Sequence, residues 1–110
     1  MAGEVVSRPP FGSMYWTAGQ QLAHMTANGA SLRTGDLFAS GTVSGPQLRD
    51  RGSLLELSWG GTEPLALTGG RQLSFLQDGD TVVLRASAAA PGGGRLRLGE
   101  VAGTITPAVP

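Results

Sequence analysis

Cysteine is absent from all 110 residues, which removes disulfides, thiolate metal sites and cysteine nucleophiles together. That absence fits a reducing compartment. Aromatic residues are scarce as well, with three Phe, two Trp and one Tyr. None of them interleaves with the scattered arginines as a single-strand nucleic-acid binder requires. Neither sign of charge is in excess: Lys+Arg and Asp+Glu stand at 8 each. No nucleic acid and no anionic membrane surface is therefore expected as a partner, because both demand clustered cations. No stretch approaches the roughly 20 apolar residues of a membrane span. The opening MAGEVVSRPP carries an acid at Glu4 and no apolar run, unlike a signal peptide. The expectation is a soluble, cytoplasmic protein.

What the chain does have is glycine, 18 residues, with 7 prolines, set as punctuation between short apolar runs. That pattern predicts many short strands and turns. A domain of this length buries roughly two-thirds of its unfolded surface, enough for a core but not for a large enclosed cavity. One segment differs. In TAGQQLAHMTANG, Thr17 and Gln20 have the T-x-x-Q spacing of a capping box, Ala18, Leu22 and Met25 share one helical face, and Asn28-Gly29 is a stop signal. The spacing predicts the one substantial helix over residues 18–28. A turn at Thr34-Gly35-Asp36 should lead to a short strand at 37–40, and the apolar run 53–59 reads as another strand. Leu65 and Leu67, a Gly69-Gly70 turn, then Leu73 and Phe75 predict a hairpin. A turn at 78–80 leads into the strand TVVLRAS. In the last run the alternation Leu96, Leu98 shifts phase to Val101, Gly103, Ile105, which predicts a bulge near Gly99.

Few residues carry chemistry. His24 is the only histidine, one turn after Gln20 on the predicted helix, and without a second ligand at i+4 it builds no metal site there. PGGG at 91–94 lacks the Lys-Ser/Thr of a phosphate loop, and the Asp-Gly-Asp at 78–80 lacks the further oxygens of a Ca²⁺ loop. In SGTVSG (40–45), two glycines flank Thr42, so backbone could approach a ligand and leave the Thr hydroxyl free to donate, or the segment is an ordinary tight loop. Glu56 alternates with Leu55 and Leu57. On pattern it sits on the wet face of a sheet, and as a catalytic carboxylate it would need a histidine, a second acid or a metal that the nearby sequence does not offer.

Several motifs nevertheless follow one another in a recognisable order. They are Val6-Ser7-Arg8, MYWT (14–17), QQLAH (20–24), Asn28-Gly29, LRTGDLFASGTVSGP (32–46), GSLLELSW (52–59), FLQDGD (75–80) and GEVAGT (99–104). Together they resemble the C-terminal portion of the catalytic domain in the fumarylacetoacetase family, over nearly all of residues 5–110. The resemblance implies a mostly β fold, a mixed β-roll with mainly antiparallel strands and one short helix near 18–28. It implies that residues 1–110 are an incomplete segment of that domain. The activity implied is hydrolysis of a C–C bond of fumarylacetoacetate to fumarate and acetoacetate, in the degradation of tyrosine and phenylalanine.

The same resemblance assigns roles. Thr42, the Thr of SGT-x-SGP, is the implied substrate-binding residue. Glu56, the Glu of the LLELSW segment, is the implied catalytic residue, which pairs with a histidine to activate the attacking water. That histidine, the carboxylates for Mg²⁺ or Ca²⁺, and the Lys and Arg that stabilise the oxyanion belong to the upstream part of the family's domain, so no metal ligand is expected in this chain. Met25 stands where a second histidine is common, and two other departures are for the most part at rim positions: Gly60 where a Lys follows the tryptophan, and PGGGR (91–95) where Gly-Asp-Gly-Tyr-Arg is usual. The implied partners are a diketo-acid substrate and either a second copy, as a homodimer, or the missing N-terminal part. The alternatives are a related enzyme acting on another acylpyruvate or keto acid, and a β-rich module without catalysis. A piece of a larger β-roll should expose strand edges and an apolar face. The chain by itself is expected to be inactive.

Overall fold

The computed structural model describes residues 3–109, which form two compact units, one of residues 5–74 and one of residues 75–109 joined by Gly3 and Glu4. In the first unit, helix α1 spans Ala18–Thr26. Its capping box is made as expected: the Thr17 N–H donates to Gln20 Oε1 at 2.9 Å, and Thr17 Oγ1 accepts from the Gln20 N–H at 3.3 Å. Gly29, at φ 84°, follows the helix and donates its N–H to the Thr26 carbonyl. The apolar side of α1 is only partly covered, and Leu22 lines a shallow depression with Ala18, Gly19 and Phe38.

Two predicted strands of this unit are corrected. Residues 37–40 pair with no strand, and Leu37 is 93% exposed. The run 53–59 holds a single helical turn, α2, Leu54–Leu57. The reason is local. Leu and Glu are good helix formers, the run contains no β-branched residue, and Ser53 caps the turn by accepting the Glu56 N–H. The turn closes with Trp59 in the left-handed region at φ 48°. The Gly60 N–H then reaches the Leu55 carbonyl at 2.8 Å, a Schellman ending with Trp in the place usually held by glycine.

The hairpin after it is as predicted, though short. Strand β1 (Leu65–Ala66) pairs antiparallel with β2 (Gln72–Leu73), with Leu65 opposite Leu73, across the Gly69-Gly70 turn. The buried side chains of this unit are Leu57, Leu73 and Ser58. Ser58 is satisfied although no water reaches it, because its hydroxyl donates to the Leu54 carbonyl at 2.7 Å and accepts the Gly61 N–H at 3.0 Å.

The second unit is a long ribbon. Strand β3 (Thr81–Ala89) pairs antiparallel with β4 (Arg95–Thr104). Between the pairs Arg85–Glu100 and Ser87–Arg97, two residues of β4, Leu98 and Gly99, face one of β3, so the expected bulge is present with Gly99 at φ 82°. The faces differ in polarity. One carries the Thr81–Thr104 hydroxyl pair at 2.8 Å, the Arg85–Glu100 ion pair at 2.7 Å, and Arg95 donating to Ser87 at 3.1 Å. The other carries Val82, Leu84, Leu96, Leu98 and Val101, of which Leu98 and Val101 are each 69% exposed. Among the described residues, the apolar face of this ribbon is exposed. The coarse expectation, a β-rich chain with one substantial helix, holds among the described residues: there are two two-stranded sheets and few, short helices. Among the described residues no helix is long and apolar enough to cross a membrane.

Candidate functional site

Glu56 lies on α2, half-buried, with its carboxylate turned back toward the cap of its own helix. The Ser53 hydroxyl accepts the Glu56 N–H and donates to Glu56 Oε2 at 2.9 Å. A second hydroxyl meets the same oxygen from another segment: Ser44, in the SGP loop, donates to Oε2 at 2.7 Å. Ser44 Oγ in turn accepts the Gly52 N–H at 3.0 Å. These two side-chain hydrogen bonds hold the Glu56 pKa below its ordinary value, and the Arg51 charge adds to the effect, while partial desolvation opposes it. The Ser53 backbone N–H also favours the charged form, and both hydroxyl bonds fall on Oε2.

The loop bearing Thr42 is fastened to this carboxylate through Gly52. A Cβ on Gly52 would stand 2.1 Å from the Val43 carbonyl oxygen and 2.9 Å from Thr42 Cγ2, so only glycine fits. The Gly45 N–H donates to the Asp50 carbonyl at 2.9 Å, closing the loop on the other side. The close approach expected of the glycines beside Thr42 is thus used inside the chain at Gly45, whose missing side chain leaves room for the Asp50 side chain. Thr42 itself is exposed, on the same knot of backbone as Glu56. Arg51 completes the group. Its Nη1 donates to the Glu56 carbonyl at 3.0 Å, and its guanidinium lies 4.6 Å from the centre of the Trp59 ring. Residues 7 and 8 tie the N-terminal segment to the same place: the Arg8 N–H donates to the Arg49 carbonyl at 2.7 Å, and the Ser7 hydroxyl reaches the carbonyls of Arg49 and Arg51.

The two site residues expected from sequence therefore belong to one neighbourhood. His24 does not bear on it, being an exposed residue in the last turn of α1. Ser44, Ser53 and Arg51 were not anticipated. The Ser53–Glu56 pair was readable, because S-x-x-E is the capping signature already applied to Thr17 and Gln20. Nothing local in the sequence marks Ser44 or Arg51. Among the described residues no three of His, Cys, Asp and Glu lie together as a metal ion would need. The donors present do not fit a Mg²⁺ or Ca²⁺ centre.

The family model described as fumarylacetoacetate (FAA) hydrolase C-terminal matches residues 1–106. The chain belongs to this family. Its relatives include the fumarylacetoacetase of Homo sapiens, 46% identical over 104 residues, which are 94% of this chain and 25% of the human protein. The Arabidopsis thaliana fumarylacetoacetase is 46% identical over 107 residues, 96% of this chain and 25% of its own length. That of Caenorhabditis elegans is 46% identical over 104 residues, 94% of this chain and 24% of the worm protein. The chain spans about a quarter of the length of the curated relatives it matches.

Proposed function

We propose that this chain forms one wall of the active site of a fumarylacetoacetase-type hydrolase, which cleaves a C–C bond of fumarylacetoacetate. The observation that carries this reading is the fastening of the Thr42 loop to the Glu56 carboxylate through Gly52 and Ser44, in a chain of this family. Oε1 of Glu56 accepts an N–H from a histidine supplied outside this chain. Charged and fixed, the carboxylate holds that imidazole in orientation and stabilises the imidazolium formed when the imidazole takes a proton from water. The Thr42 hydroxyl donates to an oxygen of the diketo acid. Water adds across the bond: its hydroxide forms the new carboxylic acid on one fragment, which then ionises to solvent, and the proton goes to the carbon that leaves.

Mg²⁺ or Ca²⁺ chemistry belongs to this family reading, with the ion held by residues outside this chain. The fold is proposed to be the family's β-roll, completed by protein outside these residues, either an upstream part or a second copy in a homodimer. A cytoplasmic setting and a place in tyrosine breakdown belong to the same proposal. The test joins this chain to the upstream three-quarters of a fumarylacetoacetase relative and measures cleavage of fumarylacetoacetate. Turnover is expected, with Glu56→Gln lowering kcat by roughly 10²–10⁴, and the chain alone with Mg²⁺ or Ca²⁺ should show none. Full kcat in Glu56→Gln, or turnover by the isolated chain, would overturn the reading.

A further inference from the structure

We propose that Ser44 and Ser53 are positioning residues for Glu56, fixing one carboxylate oxygen, Oε2, so that the other, Oε1, is the one presented to an incoming proton donor. The inference rests on the reading of Glu56 as an acceptor and adds how the chain aims it. A serine hydroxyl has a single O–H and two lone pairs. In both serines a backbone N–H occupies a lone pair: Gly52 donates to Ser44 at 3.0 Å, and Glu56 donates to Ser53 at 3.3 Å. With acceptance settled by the backbone, each hydroxyl hydrogen points at the carboxylate, at 2.7 and 2.9 Å. The Ser44 distance reaches the short, charge-assisted range for an O–H donor on an anion, and the Ser53 distance is that of an ordinary hydroxyl hydrogen bond.

An exposed glutamate ordinarily samples many rotamers, and losing that freedom is costly. Here two donors from separate segments, a loop and a helix cap, meet on one oxygen and remove it. The arrangement also selects the charge state. Hydroxyls committed as donors favour the anion and oppose a proton on Oε2. The charged groups around it act in the same direction or stand aside: Arg51 is bonded to the Glu56 carbonyl and attracts the carboxylate, whereas the Asp50 side chain packs on Gly45. Because Ser44 belongs to the loop of Thr42, a shift of that loop would also release the carboxylate. The loop and the acid are therefore positioned as one unit.

The test is a titration of the intact chain labelled with ¹³C at the glutamate carboxyl, following Glu56 by NMR. The midpoint should lie below that of an ordinary glutamate. Ser44→Ala and Ser53→Ala should each move it upward, and Ser44→Thr and Ser53→Thr, which keep the hydroxyl, should leave it low. Backbone spectra identify any variant that loses the fold, and the wild-type midpoint needs no variant at all. A wild-type midpoint at the ordinary value overturns the proposal, and so does a folded Ser44→Ala chain with no upward shift. The titration uses no substrate. An ordinary midpoint alongside a Glu56→Gln collapse in turnover refutes the positioning alone, whereas a low, serine-dependent midpoint alongside unchanged turnover refutes the catalytic reading.

Discussion

Replacing Gly52 by alanine tests the junction on which the site depends. The added Cβ would lie 2.1 Å from the Val43 carbonyl oxygen, where an ordinary carbon–oxygen contact is about 3.3 Å. The shortfall is roughly 1.2 Å, and the obstructing atom is backbone, so no side-chain rotation relieves it. Either the Thr42–Ser44 segment or residues 51–53 must move away. The Gly52 N–H then loses the Ser44 hydroxyl, and Ser44 loses its fixed aim at Glu56. Overpacking of this kind costs about 1–3 kcal/mol, and the broken hydrogen bond adds about 0.5–1.5 kcal/mol. Reduced entropy of the unfolded chain offsets about 0.4–1 kcal/mol. The net expectation is a loss of about 1–4 kcal/mol, a large share of the stability of a small domain.

A matched variant supplies the opposite sign. Gly19 sits in α1 with nothing within 4 Å of its Cβ position, so Gly19→Ala should stabilise by about 0.5–1 kcal/mol through helix propensity. Urea denaturation of both variants against wild type reads the two numbers from midpoint and slope. If Gly52→Ala unfolds at the wild-type midpoint, the close packing of residues 42–44 against 52 is not as described. The inference that Thr42 and Glu56 are positioned together then falls with it.

Four further outcomes follow from the same reasoning. Thr17→Ala removes one half of the α1 capping box and should cost about 1 kcal/mol, visible as lower helicity by circular dichroism. The Arg85–Glu100 pair is short but its side chains are 70% and 48% exposed, so Arg85→Ala should change stability by less than about 0.5 kcal/mol, and the small effect should vanish in high salt. Glu56 has a folded-state pKa below its unfolded value, so its contribution to stability is complete above the unfolded pKa and is lost as pH falls through the folded one; Ser44→Ala should flatten that acid limb of the stability–pH curve. Trp59 sits at φ 48°, so Trp59→Gly should be more stable than Trp59→Ala by about 1–2 kcal/mol, since both lose the Arg51 stacking but glycine alone escapes the left-handed penalty; equal stabilities would mean no strain is held there.

What the sequence disclosed was the local part of the fold. The T-x-x-Q box at Thr17 and Gln20, the Asn28-Gly29 stop, the Gly69-Gly70 hairpin and the phase shift at Gly99 each involve a few adjacent residues whose geometry is self-determined. The run 53–59 shows how local reading also fails. Leu54, Leu55 and Leu57 satisfy a period of 2 or of 3.6 over so short a span, and the alternation around Glu56 mimics a strand although the Ser53 cap and the lack of β-branched residues favour a helical turn. Leu37 and Phe38 were apolar enough for a strand but have no strand to pair with. Glu56 was singled out by family resemblance, and its surroundings are non-local: Ser44 stands twelve positions away in sequence. No periodicity encodes that contact.

The departures from local preference are concentrated between residues 51 and 61. Trp59 holds a backbone region that glycine prefers, Gly52 admits no side chain at all, and Ser58 is fully buried although it is polar. Each departure is matched by a specific compensation: the Schellman bonds and the Arg51 guanidinium at Trp59, the Ser44 hydrogen bond at Gly52, and two hydrogen bonds at Ser58. Chains that are otherwise consistent with their local propensities violate them where a site demands it. In this chain the compensations meet on one residue. Arg51 holds the Glu56 carbonyl, and Ser44 and Ser53 hold its Oε2. An ordinary helix-capping glutamate would need none of these supports beyond Ser53, so the additional ones are what support the role proposed for Glu56.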